Sequence, residues 1–89
     1  DLLAYAEAAL GRNETHLRPA FDLAMQPWRE TCEGDRSVGL GWFVQPMKSP
    51  TGSPAKTGRL VWHGGGTGGY RTFLGLLPEW NAAIVVLSN

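Results

Sequence analysis

The sequence holds few residues that could act as a covalent staple or a charged docking patch. It has one cysteine, Cys32, so an internal disulfide is excluded. The neighbours Thr31, Glu33 and Asp35 supply no base to activate a thiol, and Cys32 is not read as a nucleophile. Neither sign of charge dominates: 8 Lys and Arg balance 8 Asp and Glu, and the pI is near 6.9. A nucleic-acid partner is not expected, because phosphate binding needs clustered Lys and Arg. No window approaches the roughly 20 apolar residues of a membrane span. Glu30, Glu33 and Asp35 lie among Arg29 and Arg36 and read as a solvated turn, so no metal site is expected there. No cofactor is implied.

What is present fits a folded chain. Apolar residues make up 43% of the sequence, which suits a globular protein and not a disordered one. The 89 residues suit one small domain. A chain of that size buries only about 60% of its unfolded surface, so a core of its own is marginal. The sequence starts at Asp1 and stops at Asn89, directly after the apolar run Ile84-Val85-Val86-Leu87, and it reads as one partial domain of a longer protein.

Two helices are expected first, over about 1–10 and 16–28. Leu2, Leu3, Ala6, Ala9 and Leu10 share one helical face, and Gly11 provides a stop. Thr15 is placed to cap the second helix, Pro19 lies in its first turn, and Leu17, Phe21, Ala24 and Met25 form its apolar stripe. From Val38 the period changes to two, which predicts strands over about 38–45, 59–63, 70–77 and 82–87. Residues 47–58 read as a flexible loop, and the glycine run after His63 as a connection between strands. Short links between successive strands require an antiparallel sheet. The fold class is α+β, with the N-terminal helices packed on that sheet. Trp28, Trp42, Trp62 and Trp80 are read as packing residues, with Trp62 also placed to line a site.

The chemistry concentrates in Trp62-His63-Gly64-Gly65-Gly66-Thr67-Gly68-Gly69-Tyr70. An imidazole, which titrates near pH ~6.5, stands at a strand end beside residues without side chains. A ligand can lie against such a backbone and reach its N–H groups. The residues alone leave a second reading open, in which the glycines serve only backbone geometry and His63 is a half-buried surface residue. Gly64-x-Gly66-x-x-Gly69 also matches the dinucleotide fingerprint, but that motif needs a following helix, and Tyr70 to Leu77 reads as strand.

Taken with Phe73-Leu74-Gly75-Leu76-Leu77-Pro78-Glu79 and Ile84-Val85-Val86-Leu87-Ser88-Asn89, this stretch resembles the C-terminal part of the β-lactamase-related serine hydrolases, the group of class C β-lactamases, D-Ala-D-Ala peptidases and family VIII esterases. That family carries a third motif, Lys-Thr-Gly or His-x-Gly, followed by Thr-Gly-Gly-aromatic, a strand, a Pro-Glu turn and a last strand. Asp1-Leu2-Leu3-Ala4-Tyr5 and Gly39-Leu40-Gly41-Trp42 resemble its upstream helix and strand. The resemblance implies an incomplete piece of the β-lactamase/transpeptidase-like fold. It implies His63 at the first and Gly65 at the third position of the motif. It places Gly64, Gly66 and Thr67 in oxyanion and substrate binding, with the Gly66 N–H as a donor to the oxyanion hole. Gly64 has no hydroxyl, so a side-chain contact available to relatives is missing.

The family's nucleophile, a Ser in Ser-x-x-Lys at a helix start, and its Tyr-x-Asn motif have no counterpart here. Ser53-Pro54-Ala55-Lys56 matches only in letters: Pro50, Gly52 and Pro54 prevent the helix that would set Ser53 beside Lys56. Lys56-Thr57-Gly58 would use the same lysine twice. The resemblance thus implies a hydrolase of β-lactams, D-Ala-D-Ala peptides or small esters, with the 89-residue piece inactive by itself. A small-molecule or peptide acyl substrate is the expected partner, and a periplasmic, cell-envelope or secreted location is the expected place. An open sheet edge makes self-association an expectation. Two other readings remain: the His-Gly-Gly-Gly oxyanion loop of α/β-hydrolase lipases, whose sheet is parallel, and a non-catalytic binding module with a degenerate hydrolase fold.

Overall fold

A computed structural model of the chain describes residues 1–48 and 57–89. Ser53, Lys56 and most of the loop expected over 47–58 lie outside the described residues.

Helix α1 spans Leu2–Ala9. The Asp1 carboxylate accepts a hydrogen bond from the Ala4 amide at 2.8 Å and caps it, a contact worth about 1 kcal/mol. Gly11, at φ +82°, ends the helical run in the left-handed conformation. Helix α2, Arg18–Ala24, has Pro19 in its first turn. Arg18 joins the two helices by donating to the carbonyls of Ala8 (3.1 Å) and Ala9 (2.8 Å) in the last turn of α1.

Helix α2 is shorter than the 16–28 expected. The Thr15 hydroxyl accepts from the Leu17 amide at 3.2 Å but lies ahead of the helix, which has no side-chain cap. At the other end Pro27 disfavours helical backbone at Gln26. The Ala24 carbonyl accepts from the Leu40 amide at 2.8 Å. Trp28, expected to pack, is exposed, and its indole N–H donates to the Leu23 carbonyl at 2.7 Å.

Among the described residues six strands follow: β1 Arg29–Glu30, β2 Ser37–Val38, β3 Phe43–Lys48, β4 Thr57–Thr67, β5 Tyr70–Leu77 and β6 Ala82–Ser88. They pair in chain order, all antiparallel, as one meander. The strand expected over 38–45 is therefore two, broken by a turn at Gly39–Trp42 with Gly41 at φ +82°. The glycine run is also corrected: Gly64, Gly65 and Gly66 are inside β4, and the connection is only Gly68-Gly69. Those two residues, at φ 50° and 92°, make a two-residue turn of the type that matches hairpin twist.

The register explains the core. Val44, Val61, Leu76 and Ala83 face one another across β3 to β6. With Trp42, Leu74, Met25 and the small residues Ala6 and Ala9 of α1, they form the cluster between helices and sheet. Val61 and Leu76 are fully buried, and truncating Leu76 to alanine would remove about 2–5 kcal/mol. Arg59 of β4 pins the rim: it pairs with Glu79 at 3.1 Å and donates to the Met25 carbonyl at 2.9 Å. No described helix is long and apolar enough to cross a membrane.

Candidate functional site

Position along β4 decides which face each residue serves. Val61 is on the helix-covered side, and strand alternation puts His63, Gly65 and Thr67 on the same side. The helices do not extend that far, so His63 is exposed where Val61 is buried. Its ring lies 5.8 Å from that of Phe43, 18° from parallel. Phe43 is the first residue of β3 and also packs against Trp62, with ring centroids 4.9 Å apart. The imidazole thus rests at the corner where β3 begins. Trp62 is further held by its indole N–H, which donates to the Gln45 side chain at 2.9 Å.

The same corner leaves a strand edge without a partner. A two-residue turn makes Thr67 and Tyr70 a hydrogen-bonded pair. Alternation then directs the backbone N–H and C=O groups of Thr67, Gly65 and His63 towards β5. Those of Gly66, Gly64 and Trp62 point the opposite way. Trp62 meets Phe43 of β3 there. Gly64 and Gly66 meet no strand among the described residues, because β3 starts opposite Trp62 and turns back to β2. Two amides without a ladder partner therefore lie next to an exposed imidazole.

The fold itself does not require glycine at either position. Gly64, Gly65 and Gly66 are not in the left-handed region. A Cβ on Gly64 would meet only the Thr72 carbonyl oxygen at 3.5 Å, and one on Gly66 the Tyr70 carbonyl oxygen at 3.5 Å, both ordinary contacts. Successive glycines weaken a strand, and where packing gives no reason for them they mark close approach of another molecule to the backbone. Gly68 and Gly69 differ, since their positive φ is what the turn demands.

All five residues singled out in the sequence, His63, Gly64, Gly65, Gly66 and Thr67, fall on this one end of β4. Of the three glycines, Gly65 is the one whose amide faces β5; its carbonyl accepts from the Thr72 hydroxyl at 3.5 Å. Phe43 and Arg36 were not anticipated. The Arg36 guanidinium lies 5.0 Å from the Trp62 ring and 5.3 Å from the Phe43 ring, and Glu33 holds it at 2.6 Å. That ion pair gives the acidic turn a structural use, and no group of three possible metal ligands gathers among the described residues. A larger surface depression than the one at the end of β4 lies elsewhere, between α1 and α2 along Gly11 to Arg18. Arg18 there is already tied to Asp22 and the α1 carbonyls, so β4 remains the candidate.

A strand follows the glycines, so a dinucleotide-type loop, which needs a helix there, does not fit. Antiparallel neighbours on both sides of β4 likewise do not fit the parallel sheet of the α/β-hydrolases. No curated protein and no solved structure matches the chain. The family model described as Beta-lactamase matches residues 1–89. The chain, with its α+β meander, belongs to the beta-lactamase family and is a piece of a β-lactamase-related serine hydrolase fold.

Proposed function

We propose that this chain forms the third-motif wall of an active site that attacks acyl compounds through a serine, by way of an acyl-enzyme, with the nucleophile supplied by residues beyond these 89. The substrates are β-lactams, D-Ala-D-Ala peptides or small esters. One observation carries the reading: glycines that neither backbone conformation nor packing requires occupy the unpaired edge of β4 beside His63.

Each group has a role on that reading. The Gly66 N–H donates to the carbonyl oxygen as it gains charge in the tetrahedral intermediate, and a donor of this kind contributes roughly 3–4 kcal/mol in the transition state. The absence of a side chain at Gly64 and Gly66 lets the substrate lie flat against the strand. His63 donates a hydrogen bond or positive charge to the substrate or to the serine's network. Gly65 keeps the hairpin straight through its ladder to β5, and Thr67 offers a hydroxyl at the site's far end.

Nitrocefin and p-nitrophenyl ester assays on the full-length protein test this. Turnover is expected, with His63→Ala lowering kcat/KM by about 10²-fold, the low end of general acid–base effects. The 89-residue chain alone is expected to show none. Ser-dependent turnover by the isolated chain, or unchanged kinetics in the His63 variant, contradicts the assignment. No turnover by the folded full-length protein favours a binding module.

The isolated chain is also expected to self-associate. Strand β6 has an outer edge and no charged residue to block edge-to-edge pairing. Ile84 and Val86 on it are 52% and 49% exposed. Sedimentation as a monomer at high concentration would count against this.

A further inference from the structure

We propose that Phe43 is a positioning residue: its ring, clamped by Arg36 and Trp62, sets the orientation of the His63 imidazole at the open edge of β4. The proposal rests on the hydrolase reading above and adds to it a residue that acts only through His63. An imidazole that donates a hydrogen bond or moves a proton is normally oriented through its second ring nitrogen, by a carboxylate or a carbonyl. His63 has no such support. Among the described residues no hydrogen bond or ion pair engages its side chain. From Thr57 to Leu77 the chain contains no Asp or Glu, so no carboxylate on β4 or β5 can take that part. The one ring beside it among the described residues is Phe43, with centroids 5.8 Å apart and planes 18° from parallel, within the range of an offset stack.

Phe43 is itself fixed. Val38, Phe43 and Trp62 are successive cross-strand partners and share the sheet face away from the helices, and alternation along β2 adds Arg36 to that face. Phe43 is the first residue of β3, so its ring stands at the rim of the sheet, where the imidazole meets it. The Arg36 guanidinium lies against both the Phe43 and the Trp62 ring. The turn that carries it is closed: the Thr31 amide and hydroxyl both donate to the Arg36 carbonyl, at 3.0 and 2.9 Å, while the Glu33 carboxylate holds the guanidinium. Trp62 is anchored by Gln45 and by Phe73, whose ring centroid is 5.8 Å away. Phe73 in turn lies over Gly75, where a Cβ would stand 2.7 Å from its ring. A supported row of rings across three strands therefore ends at an imidazole with no other hold on its orientation.

The test is a double-mutant cycle on the full-length protein, with nitrocefin and p-nitrophenyl acetate as substrates. Phe43→Leu is expected to lower kcat/KM about 3- to 10-fold, the fold-change one aromatic pair supports. In the His63→Ala background the same substitution should change it by less than about twofold, because the ring it orients is gone. Phe43→Tyr, which keeps a ring, should restore most of the activity. A purely structural residue would cost the same in both backgrounds, so an equal loss in both, or no loss in either, overturns the proposal. Arg36→Gln loosens the clamp without cutting into the core. It should give a smaller loss of about 2- to 5-fold that also vanishes in His63→Ala, and it carries the test by the same criterion should Phe43→Leu not fold. The His63 ring-proton NMR signals, at one fixed pH, should move towards those of a free histidine in Phe43→Leu and hold in Phe43→Tyr. That measurement needs no turnover. If the wild type hydrolyses neither substrate, the hydrolase reading fails by itself, and unmoved His63 signals in Phe43→Leu overturn the positioning by Phe43.

Discussion

Replacing Gly66 by proline is expected to lower kcat of the full-length protein by about 10²- to 10³-fold, the usual effect of deleting one oxyanion donor, with KM little changed. The substitution removes a single N–H. In most strand positions that would break a ladder bond. At Gly66 the N–H points to the unpaired edge, where proline is tolerated in sheets. Gly65 provides the contrast. Its amide faces β5, so Gly65→Pro should loosen the hairpin itself and lower the melting temperature. Gly66→Ala separates donor from shape: it keeps the N–H and makes only ordinary contacts, with the Tyr70 carbonyl oxygen at 3.5 Å and Arg71 Cγ at 3.8 Å. It should hold or raise stability, by up to about 1 kcal/mol, since alanine has fewer unfolded conformations. Any loss of turnover in Gly66→Ala then reports crowding of the substrate against the strand. If Gly66→Pro keeps full kcat while its circular dichroism is native, Gly66 donates nothing to the reaction.

Much of the site could be read from the sequence, because its signal is local. His63 and the glycines are consecutive, and the Gly68-Gly69 turn followed by Tyr70 sets the hairpin register by itself. The antiparallel arrangement followed from links too short for crossovers, such as Pro78 to Asn81 between β5 and β6. The strand character of Gly64 to Gly66 was hidden, since glycine has low strand propensity and only pairing with Phe73, Thr72 and Arg71 holds it extended. Strands β1 and β2 have two residues each, too few for a period to show. The end of α2 was misplaced for a related reason: the Leu40 amide that meets the Ala24 carbonyl comes from 16 positions further along the chain. The open edge of β4 depends on where β3 stops, and that is a tertiary fact. Gly39-Leu40-Gly41-Trp42 looked like strand because its apolar residues alternate. In the fold the same four residues are the turn that opens the edge.

That turn supplies a second large expected effect, on stability, from Gly39→Ala. A Cβ on Gly39 would collide with the Ala24 carbonyl oxygen and stand 2.9 Å from the Gln26 carbonyl oxygen. Both are backbone atoms at the end of α2, so no side-chain rotation relieves the clash. The Leu40 amide ties the turn to α2 by donating to the Ala24 carbonyl, and the Gly39 amide closes the turn on the Trp42 carbonyl, each at 2.8 Å. Overpacking of this kind destabilises by about 3 kcal/mol or somewhat more. Gly34→Ala is the control. Gly34 has positive φ but nothing within 4 Å, so only the left-handed backbone strain of about 1–2 kcal/mol applies. Urea denaturation should rank the two with Gly39→Ala clearly lower in midpoint. Its effect should also reach the site, because moving this turn moves Trp42 in the core and Phe43, against which the His63 ring is stacked. A folded Gly39→Ala protein should therefore lose turnover as well as stability, while Gly34→Ala keeps its turnover. Should Gly39→Ala match the control in both measurements, the close seating of this turn on α2 is wrong, and with it the physical reason for the unpaired edge of β4.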